Sequence, residues 1–190
     1  MEDLLAFLNS IHPLEKGTID FLIENLKWIE IKKKGFILKR GHVCQNIYFV
    51  KRGLLRCFHI RMKDEREINS AFIGEGSITT SVESFFNQSI SKESIQALED
   101  CFLFYISFDE LQIAYKNYPD FNTLGRILTE KYYQISEQNI DSLRMQRARE
   151  KYLLLLNHSP QIVQRVPLKY IASYLSITEE TLSRIRSQKY

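Results

Sequence analysis

The stretch Tyr170–Tyr190, "YIASYLSITEETLSRIRSQKY", gathers the side chains with the greatest chemical reach in this 190-residue chain. On a helix starting after Thr178, an outward face would carry Glu179, Glu180, Ser183, Arg184 and Ser187, with Arg186 and Lys189 beyond. An arginine there can donate two hydrogen bonds to guanine O6 and N7, worth about 1–3 kcal/mol of discrimination against a wrong base. A glutamate can accept from cytosine N4. Two adjacent acids oppose a polyanion, yet in a first helical turn they also complement the helix dipole. Glu180 and Arg184 stand four apart, the spacing of a surface ion pair worth about 0.2–0.5 kcal/mol that would hold Arg184 extended. The chemistry on offer is base reading in double-stranded DNA, and the competing reading is an ordinary amphipathic hairpin.

Base reading needs a preceding helix to brace the reading one, and the spacing supplies it. "VPLKYIASYL" predicts a helix with Pro167 at a tolerated first-turn position. Ile171 and Leu175 share a face, and Ala172 provides the small side chain that a close helix crossing demands. Ser176 falls in the turn, where positive φ is often required and glycine is commoner. Ile177 fills the angle between the helices, Thr178 is a good N-cap, and Leu182 and Ile185 face inward. Lys169 is placed to touch a phosphate. These positions predict a helix-turn-helix.

Charge supports the same end of the molecule. Between Arg144 and Tyr190 there are nine Lys/Arg against three Asp/Glu, whereas the other 143 residues carry 17 basic and 20 acidic side chains. A basic quarter on a slightly acidic body suits a nucleic-acid partner. Arg144, Arg147, Arg149, Lys151, Arg165 and Lys169 form the basic cluster expected to meet phosphates. No apolar run approaches the roughly 20 residues that span a bilayer. The N-terminus "MEDLLAFLNSIHPL" lacks a basic n-region, so a cytoplasmic, non-membrane protein is expected. The three cysteines, Cys44, Cys57 and Cys101, fit neither a disulfide framework nor a metal set and read as reduced, buried thiols. His12, His42, His59 and His158 are isolated. No nucleophilic or metal constellation stands at usable spacing, and "GEG" at Gly74–Gly76 lacks the helix pattern of a phosphate loop. The sequence does not read as an enzyme, and neither cofactor nor metal is expected.

The remaining elements set an α+β plan. Leu4, Leu5, Leu8 and Ile11, then Ile19, Leu22, Ile23 and Leu26, predict two short helices around His12-Pro13. From Ile29 to about Ile106, short β-prone runs such as "FIL", "NIYFV", "LLRCFHI", "EINSAFI" and "CFLFYI" predict an antiparallel roll, with "VKRGLLR" as strand, tight turn at Gly53, and strand. Ser107 caps a helix at Phe108. A long helical segment from about Phe121 to Asn157 has an apolar stripe of Leu124, Ile127, Leu128, Ile135 and Leu143, interrupted by Gln138, Asn139 and Ser142. Such a helix is covered by pairing with a second copy, or by lying across its own roll. The expected division is 1–117 sensor roll, 118–147 linking and dimerisation helix, and 148–190 helix-turn-helix domain.

"REKYLLLLNHSPQIVQRVPLKYIASYLSITEETLSRIR" behind a β-rich region and a long helix resembles the CRP/FNR family of bacterial transcription regulators. The likeness is most specific in "IASYLSITEETLSRI" and weaker in the "NIYFVKRGLLR" hairpin and the "IQALEDCFLFYIS" strand pair. It implies a cyclic-nucleotide-binding-type jelly roll, a homodimer, a two-fold DNA site with half-sites about 34 Å apart, and RNA polymerase and a small-molecule effector as further partners. Where the family holds a cyclic phosphate, Gly74 and Glu75 match a Gly-Glu-Leu segment, but Gly76 follows. The family's Arg-Ser/Thr-Ala segment is replaced by Ser91, Lys92 and Ser94 in "SISKESIQA". Lysine lacks arginine's planar fork, so a cyclic nucleotide is not the expected effector. Iron–sulfur sensing is not expected either, with no cysteine before Cys44. The family's β-hairpin wing is not found before Tyr190, and Glu179 takes the place of a common basic residue. Both imply modest DNA affinity. The alternative function is a cyclic-nucleotide-binding or protein-interaction module that no longer reads DNA.

Overall fold

The computed structural model describes residues 1–145 and 147–187, with side chains described outside 139–145. Leu4 and Leu8 share one face of α1 (Glu2–Ile11) and are buried there. After Pro13 the chain restarts as α2 (Lys16–Asn25), which buries Thr18 and Leu22. The β region follows as β1 (Lys27–Ile31), β2 (Phe36–Leu38), β3 (Asn46–Arg52), β4 (Leu55–Arg61), β5 (Arg66–Ile73), β6 (Ile78–Thr79), α3 (Val82–Asn87), β7 (Glu93–Ala97) and β8 (Cys101–Ser107). Two four-stranded antiparallel sheets result, in the orders β1-β8-β3-β6 and β2-β7-β4-β5. Val50, Leu55, Phe85, Ile95 and Leu103 are fully enclosed in the roll's core. Burying branched and aromatic side chains on the inner faces drives this closure.

Two of the expected hairpins are corrected by this topology. β3 and β4 belong to different sheets, so Gly53 marks a corner where the chain changes sheet. Its φ of +103° and the 2.6 Å that would separate a Cβ from Cys101 Sγ explain why glycine stands there. β7 and β8 likewise lie in different sheets. The true hairpin is β4–β5, turning through "MKDE" with Glu65 at φ +56°.

The helical half opens with α4 (Phe108–Asn117), where Ser107 Oγ accepts from Glu110 N and Ser107 N donates to the Glu110 carboxylate. This is a capping box. α5 (Pro119–Met145) is pinned at its start, since Asp120 accepts from Glu15 N at 2.8 Å and Thr18 Oγ1 at 2.7 Å. Gly125 lets it cross close to Tyr115, whose ring would lie 2.5 Å from an added Cβ. The single helix expected from Phe121 to Asn157 is two. Arg147 is extended (ψ 156°) and donates its N–H to Glu150 at 2.8 Å, starting α6 (Ala148–His158). Local capping therefore ends what periodicity alone would continue. α7 (Pro160–Arg165), α8 (Leu168–Tyr174) and α9 (Glu179–Ser187) complete the described chain. Along α5, Leu124 is buried, Leu128 is half-buried against the roll's core and Ile127 is half-buried, while Tyr132, Tyr133 and Ile135 are more than half exposed. Asn139, Ser142, Leu143 and Arg144 have side chains outside the described set. Among the described residues, no helix is long and apolar enough to cross a membrane.

Candidate nucleic-acid interface

The closing helices form as their spacing predicts. Ile171, Ala172, Leu175, Leu182 and Ile185 are buried together in a second core. Ser176 takes φ +58° between α8 and α9, the left-handed turn that usually calls for glycine. Its neighbour Ile177 closes the turn by donating its N–H to Ala172 O at 3.0 Å. Thr178 Oγ1 accepts from Thr181 N at 3.2 Å, the N-cap bond of α9.

Glu179, Glu180, Ser183, Arg184 and Ser187 all lie on the exposed side of α9, and Thr178 is exposed at its start. Lys189 lies outside the described residues. The expected Glu180–Arg184 ion pair is absent among them. Arg184 Nη2 instead makes a long 3.4 Å contact to Thr181 Oγ1, whose hydroxyl also meets the cap at 3.1 Å. An exposed pair gains too little to fix two long side chains, so a neighbouring hydroxyl suffices to outcompete it. Among the described residues, Arg184 thus keeps nearly all of its fork unused, and both acids keep their oxygens unoccupied. Lys169 is exposed at the start of α8, its ammonium 4.9 Å from the Tyr170 ring centre.

Arg165, expected among the phosphate-binding cations, is committed elsewhere. Its guanidinium donates to both oxygens of Glu75, each at 2.8 Å, and to both of Glu99, at 3.0 and 2.6 Å. Glu75 also accepts from Gly53 N at 2.8 Å. Arg165 above all, helped by these backbone donors, holds the Glu75 carboxyl down to about 2. The same two carboxylates push Arg165 upward.

Beside this clamp lies a residue that sequence reasoning passed over. Arg56, at the start of β4, is 2% exposed. It donates to Gln96 Oε1 (3.0 and 2.7 Å), Glu67 Oε2 (2.6 Å) and Asn69 Oδ1 (3.3 Å). Its guanidinium sits between the rings of Phe58 and Tyr170, 4.0 Å from each centre. Ser173 Oγ accepts from Asn69 N and donates to Glu67 O, and Phe72 packs on Tyr174. Leu54 and Leu98 of the roll belong to the same core as α8 and α9. The helix-turn-helix is therefore seated on the outer face of β5, β4 and β7. The clue in the sequence was the unbroken run "LLRCF": consecutive strand residues are buried together only when both faces of a strand are covered.

The residues expected to form an effector pocket are divided. Ser91 and Lys92 lie near the N-terminal end of α3, where Ser91 and Ser81 hydroxyls meet at 3.1 Å and Lys92 pairs with Glu83 at 2.7 Å. Ser94 Oγ accepts from Arg40 N. Gly74 and Glu75 stand by the Arg165 clamp instead, Gly74 against Leu54. A largely apolar cavity of about 1110 Å³ lies between the roll's interior and α5, with Phe49, Phe104, Leu128 and Tyr132 in its wall. Glu83 and Glu93 also line it, and His59 Nε2 lies 3.6 Å from Glu93. Lys92 is paired with Glu83, and the cavity wall holds Lys131 but, among the described residues, no arginine fork to grip a phosphate. All three cysteines are buried thiols, and burial pushes Cys57 and Cys101 upward. No His/Cys/Asp/Glu cluster among the described residues could hold a metal ion.

Comparison with known proteins gives this geometry a setting. Residues 28–118 match the cyclic nucleotide-binding domain family. No curated protein matches the chain significantly. Among solved structures, FixK2 from Bradyrhizobium japonicum superposes with a TM-score of 0.70 at 19% identity, covering 86% of this chain and 83% of that one. CLP from Xanthomonas campestris, a c-di-GMP-responsive global regulator, gives 0.66 at 18% identity over 90% of this chain and 89% of that one. The Thermus thermophilus catabolite activator protein gives 0.59 at 19% identity over 95% and 84%. The likeness to the cyclic nucleotide-binding domain thus covers residues 28–118, and over most of its length the chain shares the fold of these solved proteins.

Proposed function

We propose that this protein is a sequence-specific, non-enzymatic DNA-binding transcription regulator that acts as a homodimer. The observation that carries the reading is the α8–α9 unit. It has a left-handed turn, a capped second helix and an exposed face whose Arg184 fork and Glu179 and Glu180 carboxylates the protein itself leaves unused. Arg184 reads guanine and Glu180 cytosine, Ser183 and Ser187 lie beside them, and Lys169 contacts phosphate. Tyr132, Tyr133 and Ile135, each more than half exposed on α5, favour its pairing with a second copy, which sets two reading helices on a two-fold site. The roll of 1–117 acts as the sensor, 118–147 as the linking helix and 148–190 as the DNA-binding domain. A cavity wall that offers Glu83, Glu93 and Lys131 but, among the described residues, no arginine fork disfavours a cyclic nucleotide as effector.

Fluorescence anisotropy with labelled duplexes from upstream of the protein's own gene tests the reading. The expected result is saturable binding at two chains per duplex, with an affinity that falls steeply as salt rises. Absence of binding at low salt would replace it with an interaction module that no longer reads DNA.

A further inference from the structure

We propose that Arg165 and Arg56 are positioning residues for DNA reading. They fix the helix-turn-helix to the sensor roll of its own chain, so the roll sets the direction in which α9 is presented. The proposal rests on the DNA-binding reading above and adds the part that controls its geometry.

Three observations carry it. First, the dock joins distant parts of one chain through directional contacts. Arg165 spans two carboxylates from separate turns of the roll, and Arg56 is enclosed between a roll ring and an α8 ring. A planar fork held by four acceptor oxygens fixes orientation as well as distance. Second, the dock grips α7 and α8 and leaves the reading face of α9 exposed, so it presents that face without covering it. Third, β5 serves two surfaces. Its backbone at Glu67 and Asn69 bonds Ser173 of α8, while Phe72 and its ring partner Tyr174 both line the large cavity. An occupant of that cavity would therefore touch the docked domain itself. Arg147, which precedes α6, is extended rather than helical, so helical continuity does not fix this angle there and the dock does.

The test uses the full-length protein with two sets of variants, Arg165→Ala and Glu75→Ala/Glu99→Ala, the second altering only the roll. Amide hydrogen exchange reports docking without DNA, and selection from duplexes whose half-site spacing is varied reports positioning. We expect α8 amides to exchange at least about tenfold faster in both variants. The single half-site spacing preferred by wild type should spread over several spacings, while the half-site sequence is kept. Arg165→Lys, which keeps the charge but not the fork, should recover only part of the preference. An unchanged spacing preference beside faster α8 exchange overturns the proposal alone, as does unchanged exchange. Failure of wild type to select any sequence overturns the DNA-binding reading and this proposal together, with the exchange data still reporting whether the dock exists.

Discussion

Arg184 and Arg56 are the same side chain in opposite circumstances. On α9, Arg184 is exposed and makes one long contact to a hydroxyl. In the dock, Arg56 is buried among four hydrogen bonds and two aromatic faces, and nearby Arg165 is spread over four carboxylate oxygens. A guanidinium saturated by its own chain builds structure, since removing it strands buried acceptors. One whose donors the chain leaves unused can serve a partner at little cost to the fold. Charge counting cannot separate the two, because both add one to the basic C-terminal face or its support. Acceptor geometry does separate them.

The contrast breaks most sharply at Arg56. Arg56→Ala empties a buried position and strands Gln96 and Asn69, so a loss of about 3–5 kcal/mol in unfolding free energy is expected by urea denaturation. A loss within 0.5 kcal/mol would dissolve the distinction. Arg184→Ala should leave unfolding within about 0.5 kcal/mol of wild type while removing about 1–3 kcal/mol of discrimination at one base position, read by competition binding.

A smaller effect comes from acid. Glu75 is held at about 2, below its ordinary 4.5, so its ionised form is favoured in the docked state. Its contribution is fully present above about 4.5 and fades as pH falls toward 2. Partial exposure of the clamp weakens the effect through solvent and salt. Exchange of α8 amides, corrected for intrinsic rate, should be constant from pH 5 to 8 and accelerate only in the acid range. Smallest is Ser176→Gly, which relieves a left-handed strain of about 1–2 kcal/mol but adds unfolded-chain entropy, for a net gain of roughly 0.5 kcal/mol in thermal unfolding.

The α8–α9 unit is legible in the sequence because its determinants are local. Ile171 with Leu175, Thr178 with Thr181, and Leu182 with Ile185 are all three or four residues apart, and helical geometry alone brings them together. The roll's strands were legible from their β-prone runs, but not which sheet each joins, since closure depends on distant pairings. The dock was hidden for the same reason. Arg165 lies 66 residues from Glu99 and 90 from Glu75, and Ser173 lies 104 from Asn69. Glu75 was read as a pocket residue on its Gly-Glu motif, whereas its carboxylate is spent on Arg165. The long helix was overextended because Arg147 and Glu150 look like good helix residues until the backbone bond between them is seen.

If α9 reads DNA as proposed, it does so through side chains the fold does not need. Selection of bound duplexes from a random pool, run in parallel on wild type and Arg184→Ala, tests it most directly. One two-fold symmetric sequence is expected for wild type and, for the variant, the same sequence with preference lost at a single symmetry-related position in each half. An identical sequence logo for both proteins, or no enriched sequence from wild type, would contradict it.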